Sequence, residues 1–472
     1  MLQTLKNAWR TKEIRSKILF TLFIIVLYRI GTVVPVPYVD ANSFANQFQG
    51  TILDYLDLLS GGSLSATTLF ALGVSPYINA SIIIQLLAVV FPKLGELAKT
   101  DKKKMGYITR IVTVAIALIT AIGYYFLLSN GGALTTSASG STAWFYAIVI
   151  IACYCAGASL IMWLADRINA HGIGNGISMI LFANIVSSIP SQIINLFALV
   201  VDTFGYPQPV AYVIVAILFA LFFIALLLAS AVFVIYVTGS ERRIPVQYAK
   251  RVVGRKMYGG QSSTLPIKLN MTGVMPVIFA SSIVSLVPTI LALCGISAET
   301  KNGWGTFAWV MGSTGPLYPI MLFILIIAFA YFYTQITFDP TDVANNLKKN
   351  GGAIPGIRQG RPTADYIRKI LNKITLAGAL FLSIIAVVPV IAGPHLIQPL
   401  LEWIISGSVD FSAVTADQLE SVWSSIRSTA SGLSSVFTFG GTSIIIIVGV
   451  ALETFRDLEA QLTMRNYKGF LG

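Results

Sequence analysis

The sequence predicts an all-α, polytopic membrane protein with ten transmembrane helices arranged as two inverted halves of five. Three observations predict it. The first is composition: of 472 residues, 55% are hydrophobic and 11% charged, whereas a soluble chain carries about a quarter charged residues. The second is run length. Apolar runs fall at 18–34, 74–91, 108–128, 144–164, 177–199, 210–237, 273–294, 317–337, 374–393 and 433–452, each long enough to cross the hydrocarbon as a helix. The third is charge. Of 32 Lys and Arg residues, 29 sit at the termini or in alternate loops, against Lys301 and Arg427 in the opposite set and Arg29 within the first run. The positive-inside rule places the crowded side, with both termini, in the cytoplasm. Ten spans with both ends on one side divide into residues 1–200 and 201–472, and an odd number per half forces the halves to face opposite ways. This repeat rests on parity, since no convincing self-similarity links the two halves.

Along the chain, the stretch after the first span does not behave like a connector. Residues 56–72 mix Leu58, Leu64 and Phe70 with Gly61, Gly62, Ser63 and Thr67. That mixture is too polar to cross a bilayer, and it predicts a short, weakly stable helix half-inserted into protein. It runs directly into the second span, which carries Asn79, Ser81 and Gln85. Polar groups at that depth face a cavity or another helix rather than lipid. A half-inserted segment joined to a polar-faced helix predicts a gate.

Two cytoplasmic loops stand out, 238–272 and 338–373, both basic and rich in glycine and proline. The first alternates apolar and polar residues around Ile244, Val246 and Tyr248, which predicts a short hairpin. The second has a turn-dense middle from Gly351 to Pro362. Loops longer than topology needs are commonly functional, and fixed guanidinium groups suit phosphates or an acidic protein face. On the other side of the membrane, 394–432 is a long outer loop with Trp403 and Trp423 as interfacial anchors.

Absences narrow the function. The spans carry almost no carboxylates or histidines, which argues against an ion-coupled transporter. His171 and His395 are far apart, and Cys153, Cys155 and Cys294 lie in or beside apolar runs, so no metal site, cofactor or disulfide framework is expected. No phosphate-binding loop is present. An enzyme is not expected, and nucleotide energy would come from a partner.

Five long motifs carry a resemblance. They are GGSLSATTLFALGVSPYINASIIIQLL, HGIGNGISMILFANIV, LPIKLNMTGVMPVIFASSI, NNLKKNGGAIPGIRQG and FGGTSIIIIVGVALET, in this order along almost the whole chain. Together they closely resemble the SecY/Sec61-alpha family of protein-conducting channel subunits. The resemblance implies an hourglass pore between the halves, closed on the outer side by a short plug helix. The plug would hold Leu58, Gly61, Gly62, Leu64, Thr67 and Phe70. An aliphatic pore ring would comprise Ile78, Ile82, Leu181, Ile185, Ile278 and Ile446, with leucine once where isoleucine is expected. A lateral gate between the second and seventh spans would place Asn79 and Gln85 opposite Ser281, Ser282 and Leu286.

The same resemblance implies a passive conduit in the plasma membrane for unfolded secretory chains and for membrane segments released into lipid. SecE, SecG, and SecA or the ribosome are the implied partners, with nucleic acid met only as ribosomal RNA. Arg358 is the strongest candidate for partner contact, followed by Arg242, Arg243, Lys250 and Arg251. The alternative is an inverted-repeat secondary transporter of a small solute, against which the empty charge inventory of the spans speaks.

Overall fold

The structure is a computed structural model that describes residues 2–40, 57, 60–130, 132–134, 141–202, 210–248, 251–253, 256–258, 262–294, 296, 303–312, 315–400, 402 and 441–464. Helices dominate it. They are α1 (Leu2–Arg10), α2 (Lys12–Gly31), α3 (Ser75–Val90), α4 (Pro92–Thr100), α5 (Lys102–Asn130), α6 (Ser141–His171), α7 (Gly176–Asp202) and α8 (Val210–Gly239). After a small sheet come α9 (Met275–Leu293), α10 (Gly303–Met311), α11 (Leu317–Thr337), α12 (Pro340–Lys349) and α13 (Arg361–Ala392). A helix over 441–464, α14, closes the chain. Each of the ten predicted spans coincides with one of these helices, except that 433–440 and the outer loop 403–432 lie outside the described residues. Among the described residues, five helices are by themselves long and apolar enough to cross a membrane, and six if α3 is joined to the start of α4.

The junction between α3 and α4 bends by 117°. Pro92 is the cause, because a proline disfavours the helical region for the residue before it. Phe91 accordingly takes φ −103°, ψ 109°, and α4 turns away across the C-terminal end of α3. At its other end, α3 begins with Gly73 at φ +57°, Val74 at φ −87°, ψ −8°, and then Pro76 in the first turn. The start of α9 repeats this geometry, with Gly273 at φ +64°, Val274 at φ −89°, ψ −7°, and Pro276. The second span after the start and the second span after residue 200 therefore share a Gly-Val-x-Pro entry. This is the local likeness between the halves that the parity argument lacked. Glycine supplies the left-handed turn and proline fixes the first helical φ.

The core is one continuous apolar cluster running through α2, α3, α5, α6, α7, α9, α11, α13 and α14, with residues such as Tyr28, Ala121, Tyr154, Ile180, Val277, Leu322 and Ala386 buried. Ala8, Ile14, Ile173 and Leu458 form a separate cluster, so α1 and the start of α2 pack against α14. Lys17 Nζ donates to Gln461 Oε1 at 3.0 Å across that contact.

The sheet formed by the two long basic loops is small and antiparallel, in the order β4-β1-β5 (Ser262–Lys268, Glu241–Tyr248, Gly352–Ala353). The expected hairpin around Ile244 and Val246 is present: Ile244 pairs with Leu265 and Val246 with Ser263, and both Ile244 and Val246 are buried. A second antiparallel pair, β2 (Arg251–Val253) with β3 (Lys256–Tyr258), lies between these strands in the chain. The loop 338–373, expected to be turn-dense, holds more order than that. It contains α12, whose start is capped by Asp339 Oδ1 accepting from Thr341 N–H at 2.8 Å, and then β5. The expected span 374–393 is the outer part of a helix that starts at Arg361.

Candidate channel and gate

Residues 60–74 have little regular form, and most of them are buried. Asp57 and Ser60 are helical and residues 61–74 run as successive turns, so the short helix expected over 56–72 is met only at its start; Leu58 lies outside the described residues. The physical reason is visible in the bonds. Gly61, Gly62 and Gly73 take φ of +71°, +82° and +57°, and Thr67 takes +46°, none of which a helix tolerates. Side-chain oxygens take the place of helical carbonyls. Asp57 Oδ1 accepts from Leu64 N–H and Ser65 N–H, both at 2.9 Å. Ser63 Oγ donates to Ser60 O at 2.9 Å, and Thr68 Oγ1 donates to Ser63 O at 3.1 Å. Ser60, Ser63, Leu64, Thr67, Thr68 and Phe70 are all buried. Outside bonds tie the segment to the end of the first span: Val36 N–H donates to Thr67 O at 3.1 Å and Leu69 N–H to Val34 O at 2.9 Å. On α6, Gly157 lets the Leu69 carbonyl come so close that a Cβ there would lie 1.9 Å from its oxygen.

Beside this polar body stand the six aliphatic residues that the motifs aligned. Ile78 and Ile82 project from α3, Leu181 and Ile185 from α7, Ile278 from α9 and Ile446 from α14. All six are buried, at 2–4% exposure, and all belong to the central apolar cluster that also contains Leu64 and Phe70. Within each pair the spacing of four puts both side chains on one helix face.

The seam between α3 and α9 is split into two parts. Asn79, Ser282 and Leu286 line one cavity of about 260 Å³, together with Thr289 on α9 and Thr120 on α5. The Asn79 Oδ1 atom is buried without a hydrogen-bond partner among the described residues. Ser281 and Ser282 both donate to their own helix, at Ile278 O, 3.0 and 2.8 Å away. Gln85 was expected to face α9 and instead meets α11: its amide donates to Ser81 Oγ at 2.9 Å, and its carbonyl accepts from the Tyr333 hydroxyl. The Tyr333 ring in turn packs 5.2 Å from the Phe279 ring on α9. Sequence reasoning misses Tyr333 because a tyrosine inside an apolar run looks like any other large apolar residue. Its hydroxyl, which needs a partner once buried, is the signal that could mark it.

Two further residues join the site without having been expected there. Arg29 stands in the sequence only as a stray charge, and its guanidinium bonds the carbonyls of Gly61 and Ala183. Asp57 organises the turns of 60–68. An acidic residue followed at seven and eight positions by Leu64 and Ser65 has no recognised spacing, so only the folded loop reveals it.

At the two long basic loops the structure joins what the sequence separated. Strand β5, from the second long loop, pairs with the edge of β1 from the first, Gln247 opposite Ala353 and Tyr248 opposite Gly352. Ile244, Ile267, Ile354, Ile367 and Leu371 form one apolar cluster beneath them. Arg242 and Arg358 are not buried on this shared body. Arg243 is exposed and pairs with Glu241 at 2.8 Å. Arg251 lies on β2, and Lys250 falls outside the described residues. Thr341 N–H, which bonds Asp339, holds that carboxyl below the usual carboxylate range, so the cap of α12 stays charged. Burial, followed by the nearby Arg456, lowers Lys268 at the root of the sheet. Among the described residues no group of acidic, histidine or cysteine side chains could hold a metal ion.

The family model described as SecY matches residues 68–455. A protein translocase subunit SecY of Streptomyces galbus is 39% identical over 100% of both chains. The chain belongs to the SecY family. Two solved structures show the same fold at low identity. One concerns a SecY plug domain that stabilises the closed translocation channel and keeps a membrane seal; its TM-score is 0.60 at 17% identity, with 94% of this chain and 92% of that chain covered. The other is canine Sec61 in a ribosome-channel complex, with a TM-score of 0.55, 15% identity and the same coverage. The SecY match covers the helices from α3 onward and the second half of the segment 60–74. Multi-pass insertion in a membrane follows from family and helices together, and the small-solute transporter alternative finds no support among these relatives.

Proposed function

We propose that this chain is the channel through which unfolded secretory polypeptides cross the plasma membrane, and from which apolar segments leave sideways into lipid. The observation that carries the reading is the pairing of two unlike barriers in one core. A buried polar segment at 60–74 adjoins six buried aliphatic side chains drawn from four different spans. The residues Gly61, Gly62, Leu64, Thr67 and Phe70, with Leu58, act as plug. The six aliphatic residues act as the ring. A ring without hydrogen-bonding groups dewets when narrow and blocks ions, yet its side chains yield around a passing chain. Asn79, Ser282 and Leu286, lining one cavity between α3 and α9, support a seam that parts more readily than a fully packed one, with Ser281 beside them on α9 and Gln85 held aside by Tyr333. An apolar segment of about 20 residues would then leave because the bilayer favours it.

The halves 1–200 and 201–472 act as the two shells of this channel, with both termini in the cytoplasm. Movement through it is passive, driven by SecA or by a translating ribosome, in a complex with SecE and SecG. The body formed by the two basic loops is the docking face, with Arg358, Arg242, Arg243, Lys250 and Arg251 as contacts. Guanidinium groups at the surface of an ordered sheet suit an acidic protein surface or ribosomal RNA phosphates, and the likeness to a ribosome-bound channel supports the latter.

The test is crosslinking in membranes. Cysteine replaces Ile82 or Ile278 in a chain stripped of Cys153, Cys155 and Cys294, and a secretory polypeptide is stalled partway. Crosslinks at both positions, and none at an outward-facing control such as the exposed Ile148 on α6, are expected. An engaged chain that crosslinks at neither position would remove the pore assignment.

A further inference from the structure

A cation inside a span is costly and needs a reason. Arg29 lies two residues before the end of α2, and its guanidinium spreads between two elements. Nη1 donates to Gly61 O in the plug at 3.5 Å, and Nη2 donates to Ala183 O on α7 at 3.4 Å. The planar fork of arginine suits two separate acceptors, where an ammonium would serve as one point charge. The plug side of the contact is shaped to receive it. Gly61 has φ +71°, and a Cβ there would lie 3.0 Å from Arg29 Nη1 and 3.0 Å from Asn184 Oδ1. Only glycine brings this carbonyl to the cation without strain.

The neighbours of Arg29 hold the same partner. Tyr28 stacks on Phe70, with centroids 5.4 Å apart and planes 10° from parallel. Gly31 is so close to Phe70 that a Cβ would lie 2.1 Å from Cε2. The last turn of α2 is thus a dock for the plug, and Arg29 is the member that also reaches the opposite wall at α7.

We infer that Arg29 is the latch of the resting seal: a positioning residue, braced on α7, that holds the plug at Gly61, so that departure of the plug must break that bond. The inference rests on the plug reading given above. Departure of the plug leaves the guanidinium to be hydrated in the space it vacates, so opening exchanges protein acceptors for water rather than stranding a charge. The latch can release as well as hold.

The experiment measures resting ion conductance of the assembled channel complex, without substrate, in planar bilayers. Four variants are compared with the wild type: deletion of 60–72, Arg29→Gln, Arg29→Lys and Gly61→Ala. Deletion is expected to open the resting channel. Arg29→Gln is expected to raise spontaneous openings about tenfold, the scale of a single charge-assisted bond, with Arg29→Lys between it and the wild type. Gly61→Ala keeps the cation but pushes the carbonyl away. It is expected to match Arg29→Gln, and it carries the test alone if that variant does not assemble. A leaky deletion with silent Arg29→Gln and Gly61→Ala overturns the latch and leaves the plug. A silent deletion overturns the plug reading and the latch with it.

Discussion

The segment 60–74, proposed as the plug, and the six aliphatic residues proposed as a ring sit in the same core, yet opposite forces hold them. The segment 60–74 is polar and keeps its form through directional bonds, among them the Asp57 carboxylate to Leu64 and Ser65, and Val36 and Leu69 to the tail of the first span. Its fit to α6 is backbone against backbone, at Gly157. The ring side chains carry no donor or acceptor. Six aliphatic groups of similar volume meet there by dispersion, a sum of many weak attractions that weakens by degrees as the groups move apart. The difference teaches how one pore can carry two kinds of closure. A body keyed by hydrogen bonds is in place or out of place, whereas a ring of flexible aliphatic groups can be open by any amount.

Substitutions can break or sharpen this contrast, read as thermal unfolding of the assembled complex in lipid nanodiscs. The largest effect is expected from Gly157→Ala, since the new Cβ meets the Leu69 carbonyl rather than a flexible side chain. A destabilisation of about 3 kcal/mol follows from overpacking against backbone. Asp57→Ala comes next, at about 2 kcal/mol, because it strips a charged acceptor from two backbone donors. The smallest belongs to Leu181→Ile in the ring, at about 1 kcal/mol, as volume-conserving apolar exchanges are tolerated. A Leu181→Ile effect equal to that of Gly157→Ala would erase the distinction and make the ring as closely keyed as the plug. A Gly157→Ala protein as stable as the wild type would show that the segment is loosely held.

Legibility in the sequence follows the same division. The ten spans and the hairpin at Ile244 and Val246 can be read in advance because each depends on a local pattern: runs of apolar residues, or alternation with a period of two. The six ring positions come from motif likeness, not from pattern, since a buried isoleucine and a lipid-facing one look alike in a span. The Gly-Val-x-Pro entries at Gly73 and Gly273 stand in plain view but say little alone, because four residues make a weak repeat until the matching dihedral angles are known. The helix expected over 56–72 is present at Asp57 and Ser60 and gives way to turns from Gly61 onward, because glycine φ values and the Asp57 acceptor outweigh a weak helical tendency.

By itself, then, the sequence determined that this chain lies in a membrane, where its spans run and which loops carry charge, since hydrophobicity and charge act residue by residue along the chain. Tertiary structure decided which polar groups meet. It turned Gln85 toward Tyr333 rather than α9, drew Arg29 to Gly61 and Ala183, and paired β5 with β1 so that two distant basic loops became one surface. These contacts join residues from 32 to 248 positions apart. A buried donor chooses whichever acceptor the packing brings within about 3 Å, and no local pattern records that choice.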